Sequence, residues 1–180
     1  AEEMNSTYRL QKTGSQKLYP IVAHGIQADT LASRGGETMQ KGEVITMANI
    51  KAALKKQGMK DFKFEAGNAT IFRSGWKKHY SDPTTFNSGC PGIGKEVARR
   101  IAKDVQAGVT GGDTWPADAV PNPDPACALY VHTFLQARHN IVNQQNMKLS
   151  KLAKGGIYLF IFMCSPVPIR EPMGTPITIN

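Results

Sequence analysis

Chemistry at a protein site needs side chains that hold a metal, carry a proton or attack a carbon, and this sequence offers few of them. Its four histidines are His24, His79, His132 and His139. No two stand in an H-x-H or H-E-x-x-H pattern, so no local zinc pair is written into the chain. A lone imidazole is more often a satisfied surface or core group than a ligand. His132 is the candidate for a functional role. Three cysteines, Cys90, Cys127 and Cys164, are odd in number and widely spaced. That describes neither a disulfide framework nor a C-x-x-C metal site. Cys90 opens the run Cys90-Pro91-Gly92-Ile93-Gly94 ahead of a helix, where free amides can receive an anion and a thiol can be acidified. The run lacks the Lys-Ser/Thr of a phosphate loop, and a plain helix start is the competing reading. Asp113 stands where a short strand gives way to a proline-rich loop. There α/β proteins place active-site groups, and also ordinary turn caps.

The elements that must position these residues follow from the apolar pattern. Residues 18–27 carry a strand-like run broken at Gly25. Thr46 is an N-cap for a helix over 47–57, with Ile50, Ala53, Leu54 and Gln57 on one stripe and Gly58 at its end. Residues 69–74 read as a strand, and 77–94, rich in Ser, Asp, Pro, Asn and Gly, as a long loop. A helix follows over 94–107, with Ile93, Val97, Ile101 and Val105 in steps of four, then a strand over 109–113. That order is the signature of a βαβ crossover. The prolines at 116, 121, 123 and 125 exclude a regular element there. Residues 126–139 are helix-compatible, 149–154 form a helical turn, 158–163 a buried strand, and 165–180 a proline-rich extended tail. The fold class is α/β with a mixed sheet. Residues 1–18 are expected to be a loose arm and 19–180 a single domain.

Bulk composition narrows the function classes. The apolar fraction of 41% is that of an ordinary globular protein. No apolar run reaches the roughly 20 residues of a membrane span, so no membrane partner is expected. The chain opens on Ala-Glu-Glu, unlike a secretory leader. Two Asn-x-Ser/Thr sequons, at Asn5 and Asn68, matter only for a secreted chain, so both a cytoplasmic and a secreted soluble protein fit. The formal charge is +8. A nucleic acid or other polyanion is therefore a partner to weigh. No nucleic-acid-binding module is visible, and the densest basic group, Lys51, Lys55, Lys56, Lys60 and Lys63, reads as a solvated helix face.

Taken in order, the blocks resemble one family. Gly111-Gly112-Asp113-Thr114-Trp115 followed by Val120-Pro121-Asn122-Pro123-Asp124-Pro125 is similar to the "G-x-D-T-W…V-P-N-P-x-P" signature of the cyclase/kynurenine formamidase family, whose longer members include isatin hydrolases. Pro20-Ile21-Val22, Gly25-Ile26 and Asp29 resemble its "P-I-V-x-x-G-V-L-L-D" strand. Residues 42–57 resemble its "G-x-x-I-T-x-x-D-L-E-x-A-L-x-x-Q" helix, and 70–76 its "V-L-F-R-T-G-W" strand. Asn87-Ser88-Gly89 with Pro91-Gly92-Ile93 matches "x-S-G-x-P-G-I", Val131-His132 resembles "P-V-H", and 173–177 the closing "x-x-G-S-P-x-x-P-I". The likeness runs over residues 18–180.

The resemblance implies a swivelling β/β/α fold and hydrolysis of a carbon–nitrogen bond in a linear or cyclic amide, as an arylformamidase does. It implies a zinc or manganese ion that activates water. It makes His132 a metal ligand, with Asp113 and Gln145 beside it as catalytic candidates. Trp115, Asp118, Phe86 and Phe134 become candidate walls for a small amide substrate. Two departures qualify this. The family's "H-x-G-T-H-x-D" motif belongs upstream of Pro20, and residues 1–19 contain no His or Asp. Gln145 stands where the family has a glutamate ligand, and a neutral amide neither ligates as well nor acts as a base. The expectation is an N-terminally truncated member, completed by a homo-oligomer or a complementing segment. The alternative is a catalytically inactive binding or structural protein that holds no metal.

Overall fold

A computed structural model describes residues 5–6, 9–10, 18–167 and 177–179. They fall into two compact units, one of His24–Phe160 and one that joins the chain up to Ala23 with the chain from Ile161. In the second unit β1 (Asn5–Ser6) pairs antiparallel with β2 (Arg9–Leu10). The rest of the expected arm, and most of the expected tail with all of its closing family block but Ile177, lie outside the described residues.

Strand β3 (Ile21–Asp29) ends on a carboxylate that starts the next element. Asp29 accepts a hydrogen bond from Ala32 N–H and so caps α1 (Thr30–Ser33). It also pairs with Arg73 at 2.9 Å, tying two of the family blocks together. After β4 (Val44–Ile45) comes α2 (Met47–Lys56), begun by a capping box. Thr46 Oγ1 accepts from Asn49 N–H, and Asn49 Oδ1 accepts from Thr46 N–H at 2.8 Å. Its buried stripe is Ile50, Ala53 and Leu54, as the spacing predicts, and Lys51, Lys55 and Lys56 lie on the exposed face. Strand β5 (Ala69–Arg73) follows. The expected long loop then holds a 3₁₀ turn (Trp76–His79), α3 (Pro83–Asn87) capped by Asp82, and β6 (Gly92–Ile93).

The helix expected over 94–107 is two pieces. α4 (Lys95–Arg99) runs on as a π-helical stretch (Arg100–Val105), and Gln106 closes it in the left-handed region. Strand β7 (Val109–Gly112) follows. The helix-compatible stretch 126–139 is also broken. A 3₁₀ turn (Pro125–Cys127) and left-handed Leu129 precede α5 (Tyr130–His132), which continues as a second π-helical stretch (Thr133–Arg138). Then come β8 (Val142–Gln144), α6 (Ser150–Lys154), β9 (Leu159–Pro166) and β10 (Ile177–Ile179).

In the first unit β3, β5, β7 and β8 run parallel in that order. Two register rows cross them, Ile26–Thr70–Thr110–Asn143 and Gln27–Ile71–Gly111–Gln144. Neighbours in a row share a face. The core is built on the first row's face, where Ile26, Ala28 and Phe72 meet Ile50, Ala53 and Leu54 of α2 and Val97, Ala98 and Ile101 of the helix after β6. Tyr158 C=O, just ahead of β9, accepts from Gln27 N–H. In the second unit β10 pairs antiparallel with β9, so the sheet is mixed, as the sequence predicts. β9 itself is not the buried strand its composition suggests. Phe162 and Cys164 are buried, but Ile161 is 73% exposed and Met163 43%. Alternation rather than mean hydropathy decides which side of a strand meets the core.

Candidate functional site

Strands β5, β7 and β8 end side by side, and parallel sheets place their sites at that edge. The segments beyond them enclose a small pocket. It is lined by Ser74 after β5, Asp113 and Thr114 after β7, Asn143 and Gln144 of β8, and Gln145 just beyond. Its volume is ≈ 20 Å³. That admits a group of water's size or the tip of a ligand.

Asp113 is 2% exposed and fully engaged. Its Oδ1 accepts from Ser74 N–H at 2.8 Å and from Ser74 Oγ at 2.7 Å, and its Oδ2 from Gly75 N–H at 2.8 Å. Burial pushes its carboxyl above the usual carboxylate range, while the Ser74 and Gly75 donors pull it back. The residue that the sequence marks at the end of β7 thus fastens the turn after β5. Gly75 makes that turn possible, since φ there is +88° and any Cβ would meet Leu31 and Thr38.

Asp118 fastens a second segment in the same way. It is fully buried and accepts from Val131 N–H at 2.7 Å and His132 N–H at 2.9 Å. Its carboxyl too is raised by burial and opposed by those amides. The carboxylate holds the first turn of α5 and with it His132. The imidazole Nδ1 lies 3.4 Å from Asn143 Nδ2, so His132 reaches the pocket through that amide. Gln145 and Asp113 line the pocket directly.

The aromatic candidates gather elsewhere. Trp115 Nε1 and Trp76 Nε1 both donate to the Phe86 carbonyl, at 3.1 and 3.3 Å. Phe86 itself packs with Trp76 and Cys90. Phe134 belongs to the main core, stacked on Tyr130 with 5.4 Å between ring centres. None of these three rings is among the pocket's residues.

The anion cradle suggested for 90–94 is not formed, because every amide in it is spent. Cys90, Gly92, Ile93 and Gly94 N–H donate to the carbonyls of Val120, Glu43, Ala117 and Ile45. Nor is the thiol acidified. Cys90 is fully buried and its pKa is pushed up to about 12. The sequon residue Asn68 is buried as well, its side chain accepting from Glu65 N–H.

Sequence reasoning missed Ser74, Asn143 and Gln144. Asn143 Oδ1 and Gln144 Oε1 are buried without a hydrogen-bond partner. Such groups in a folded protein call for an explanation. The signal was there as three consecutive amides, Asn143-Gln144-Gln145, directly after apolar Ile141-Val142.

A catalytic zinc takes about three protein donors. Among the described residues no three His, Cys, Asp or Glu side chains come together. His132 faces an amide, and Asp113 and Asp118 already accept from backbone N–H groups. This donor set does not fit a catalytic divalent ion. No helix among the described residues is long and apolar enough to cross a membrane.

Comparison with known proteins agrees with the architecture. A family model described as "Putative cyclase" matches residues 6–119. A crystal structure of a novel cyclase superposes with a TM-score of 0.83 at 24% identity, over 99% of this chain and 60% of that one. Isatin hydrolase A from Ralstonia solanacearum gives 0.69 at 19%, over 92% and 62%. An isatin hydrolase bound to the product analogue thioisatinate gives 0.67 at 16%, over 88% and 59%. The chain thus spans about three fifths of these structures. No curated protein sequence matches significantly.

Proposed function

This chain belongs to the cyclase family, and on that premise we propose that it serves hydrolysis of a carbon–nitrogen bond in a small amide or lactam, its own role being to bind the amide. One observation carries the reading. The pocket at the strand ends holds Asn143 with a buried, unpartnered acceptor oxygen, backed by His132. An amide or lactam N–H is the neutral donor that such an oxygen needs, and pairing there recovers the cost of leaving it unsatisfied. The neighbours of similar fold that act on isatin, a lactam, support the substrate class. The described residues do not supply the water-activating metal, and Gln145 cannot act as a base.

A second reading keeps the binding and drops the chemistry. It is favoured by Asp113 and Asp118, both held as acceptors by backbone N–H groups and so not placed as a free general base. A titration of the full chain with isatin, followed by an absorbance assay for ring opening with and without added Zn²⁺ or Mn²⁺, separates the two. Saturable binding that weakens about tenfold in Asn143→Leu is the expected result, from loss of one hydrogen bond to a buried acceptor. No binding overturns the proposal. Turnover on adding metal selects hydrolysis by this chain, and binding without turnover selects the second reading.

A further inference from the structure

The first unit holds a second, larger cavity away from the strand ends. Its volume is ≈ 90 Å³, between the sheet face that carries Ile26 and Phe72 and the helices that bring Ile50, Val97 and Ile101. The lining is apolar but for Thr70 and Arg100. Thr70 Oγ1 is committed to Val109 C=O and Thr110 Oγ1. A water inside would find almost no partners, and cavities of this kind stay dry and take up hydrocarbon groups. Arg100 is the charged residue of the lining, and it is exposed, so the cavity reaches solvent there. Its ion pair with Asp104, one turn on, is more than half exposed on both sides. Such a pair holds the guanidinium weakly and leaves it free to turn to another anion. Arg100, Ile101 and Val105 all stand on the π-helical stretch after α4, and insertions of this kind recur at binding sites.

We propose that this cavity binds a small monocarboxylate, its apolar portion of roughly four to six carbons inside and its carboxylate on Arg100. The inference does not depend on the reading of the strand-end pocket. The charge rules on the chemistry. A neutral hydrocarbon fits the walls but leaves the guanidinium unused, and a cation meets it with like charge.

The test is a titration of the full chain with hexanoate, and in parallel with hexan-1-ol, read from amide chemical shifts and melting temperature. Hexanoate is expected to saturate, to shift the amides of 97–105, and to bind better than hexan-1-ol. Arg100→Gln is expected to weaken hexanoate about fivefold, the worth of an exposed ion pair, and to leave hexan-1-ol unchanged. Val97→Phe, which fills the cavity, is expected to abolish both. No binding by the wild-type chain overturns the proposal. So does equal binding of acid and alcohol, an unaltered hexanoate affinity in Arg100→Gln, or retained binding by a folded Val97→Phe protein. If Val97→Phe does not fold, the Arg100→Gln comparison decides alone.

Discussion

One register row crosses the sheet from Ile26 through Thr70 and Thr110 to Asn143. Its first two residues line the apolar cavity and its last two the strand-end pocket, so one row of one sheet serves both. What changes along the row is the cover. Over Ile26 and Thr70 lie helical stripes of Ile50, Val97 and Ile101, which offer dispersion contacts only. Over Thr110 and Asn143 lie chain turns, whose amides must be paired, and buried carboxylates pair them. A region closed by side-chain packing can yield to a ligand. A region closed by hydrogen bonds from backbone to carboxylate is fixed and offers only the few polar atoms left over, here Asn143 Oδ1.

If that contrast is right, the pocket breaks at its backbone. Gly92 lines it, and a Cβ there would overlap the carbonyl of Asp118 and the amide nitrogen of Ala119. Gly92→Ala must push away the segment that holds α5 and His132, so the expected loss is about 3 kcal/mol or more, measured by urea denaturation. A loss below about 1 kcal/mol would mean that this wall is as yielding as the cavity's, and the comparison fails.

Asp113→Asn sharpens the point with a smaller effect. The amide keeps the shape but replaces one of the two acceptor oxygens by a donor, which weakens the hydrogen bonds from Ser74 and Gly75 at a cost of about 2 kcal/mol. The pH dependence carries a sign. Burial raises the folded carboxyl above its unfolded value. Between those two values the folded state binds more protons, so this group's contribution to stability falls as pH rises through the window and is flat above it. The variant lacks that slope. Its deficit against the wild type is therefore largest at the acid end and shrinks as pH rises. A deficit that grows with pH would mean that the donors outweigh burial and that the folded carboxyl is depressed instead.

Much of this was legible because it is local. Thr46 announces the start of α2, and Ile50, Ala53 and Leu54 give its buried face, since capping and helical period need only a few neighbouring residues. The ordered blocks point to the family and its α/β mixed-sheet fold. What the sequence could not show depends on partners far along the chain. The amides of 90–94 look free until Glu43, Ile45, Ala117 and Val120 are brought beside them. Asp113 reads as a catalytic candidate and Asp118 as a substrate wall until Ser74, Gly75, Val131 and His132 take up their oxygens. Phe134 and Phe86, alike as aromatic candidates, separate into two clusters because their own helices face different neighbours.

At the cavity the smallest effect is the most telling. Arg100 stands at the rim, its pair with Asp104 being 57% and 54% exposed, so neither side chain supports the core. Arg100→Gln should change stability by no more than about 0.5 kcal/mol, since a solvated i,i+4 pair contributes little and is screened by salt. Thermal unfolding at low and at high ionic strength would check both halves of that statement. The variant and the wild type should converge as salt rises. A loss above about 1.5 kcal/mol that salt does not erase would make Arg100 a member of the wall. The cavity would then be closed by a structural cation, and the contrast between a yielding apolar space and a fixed polar one would not hold.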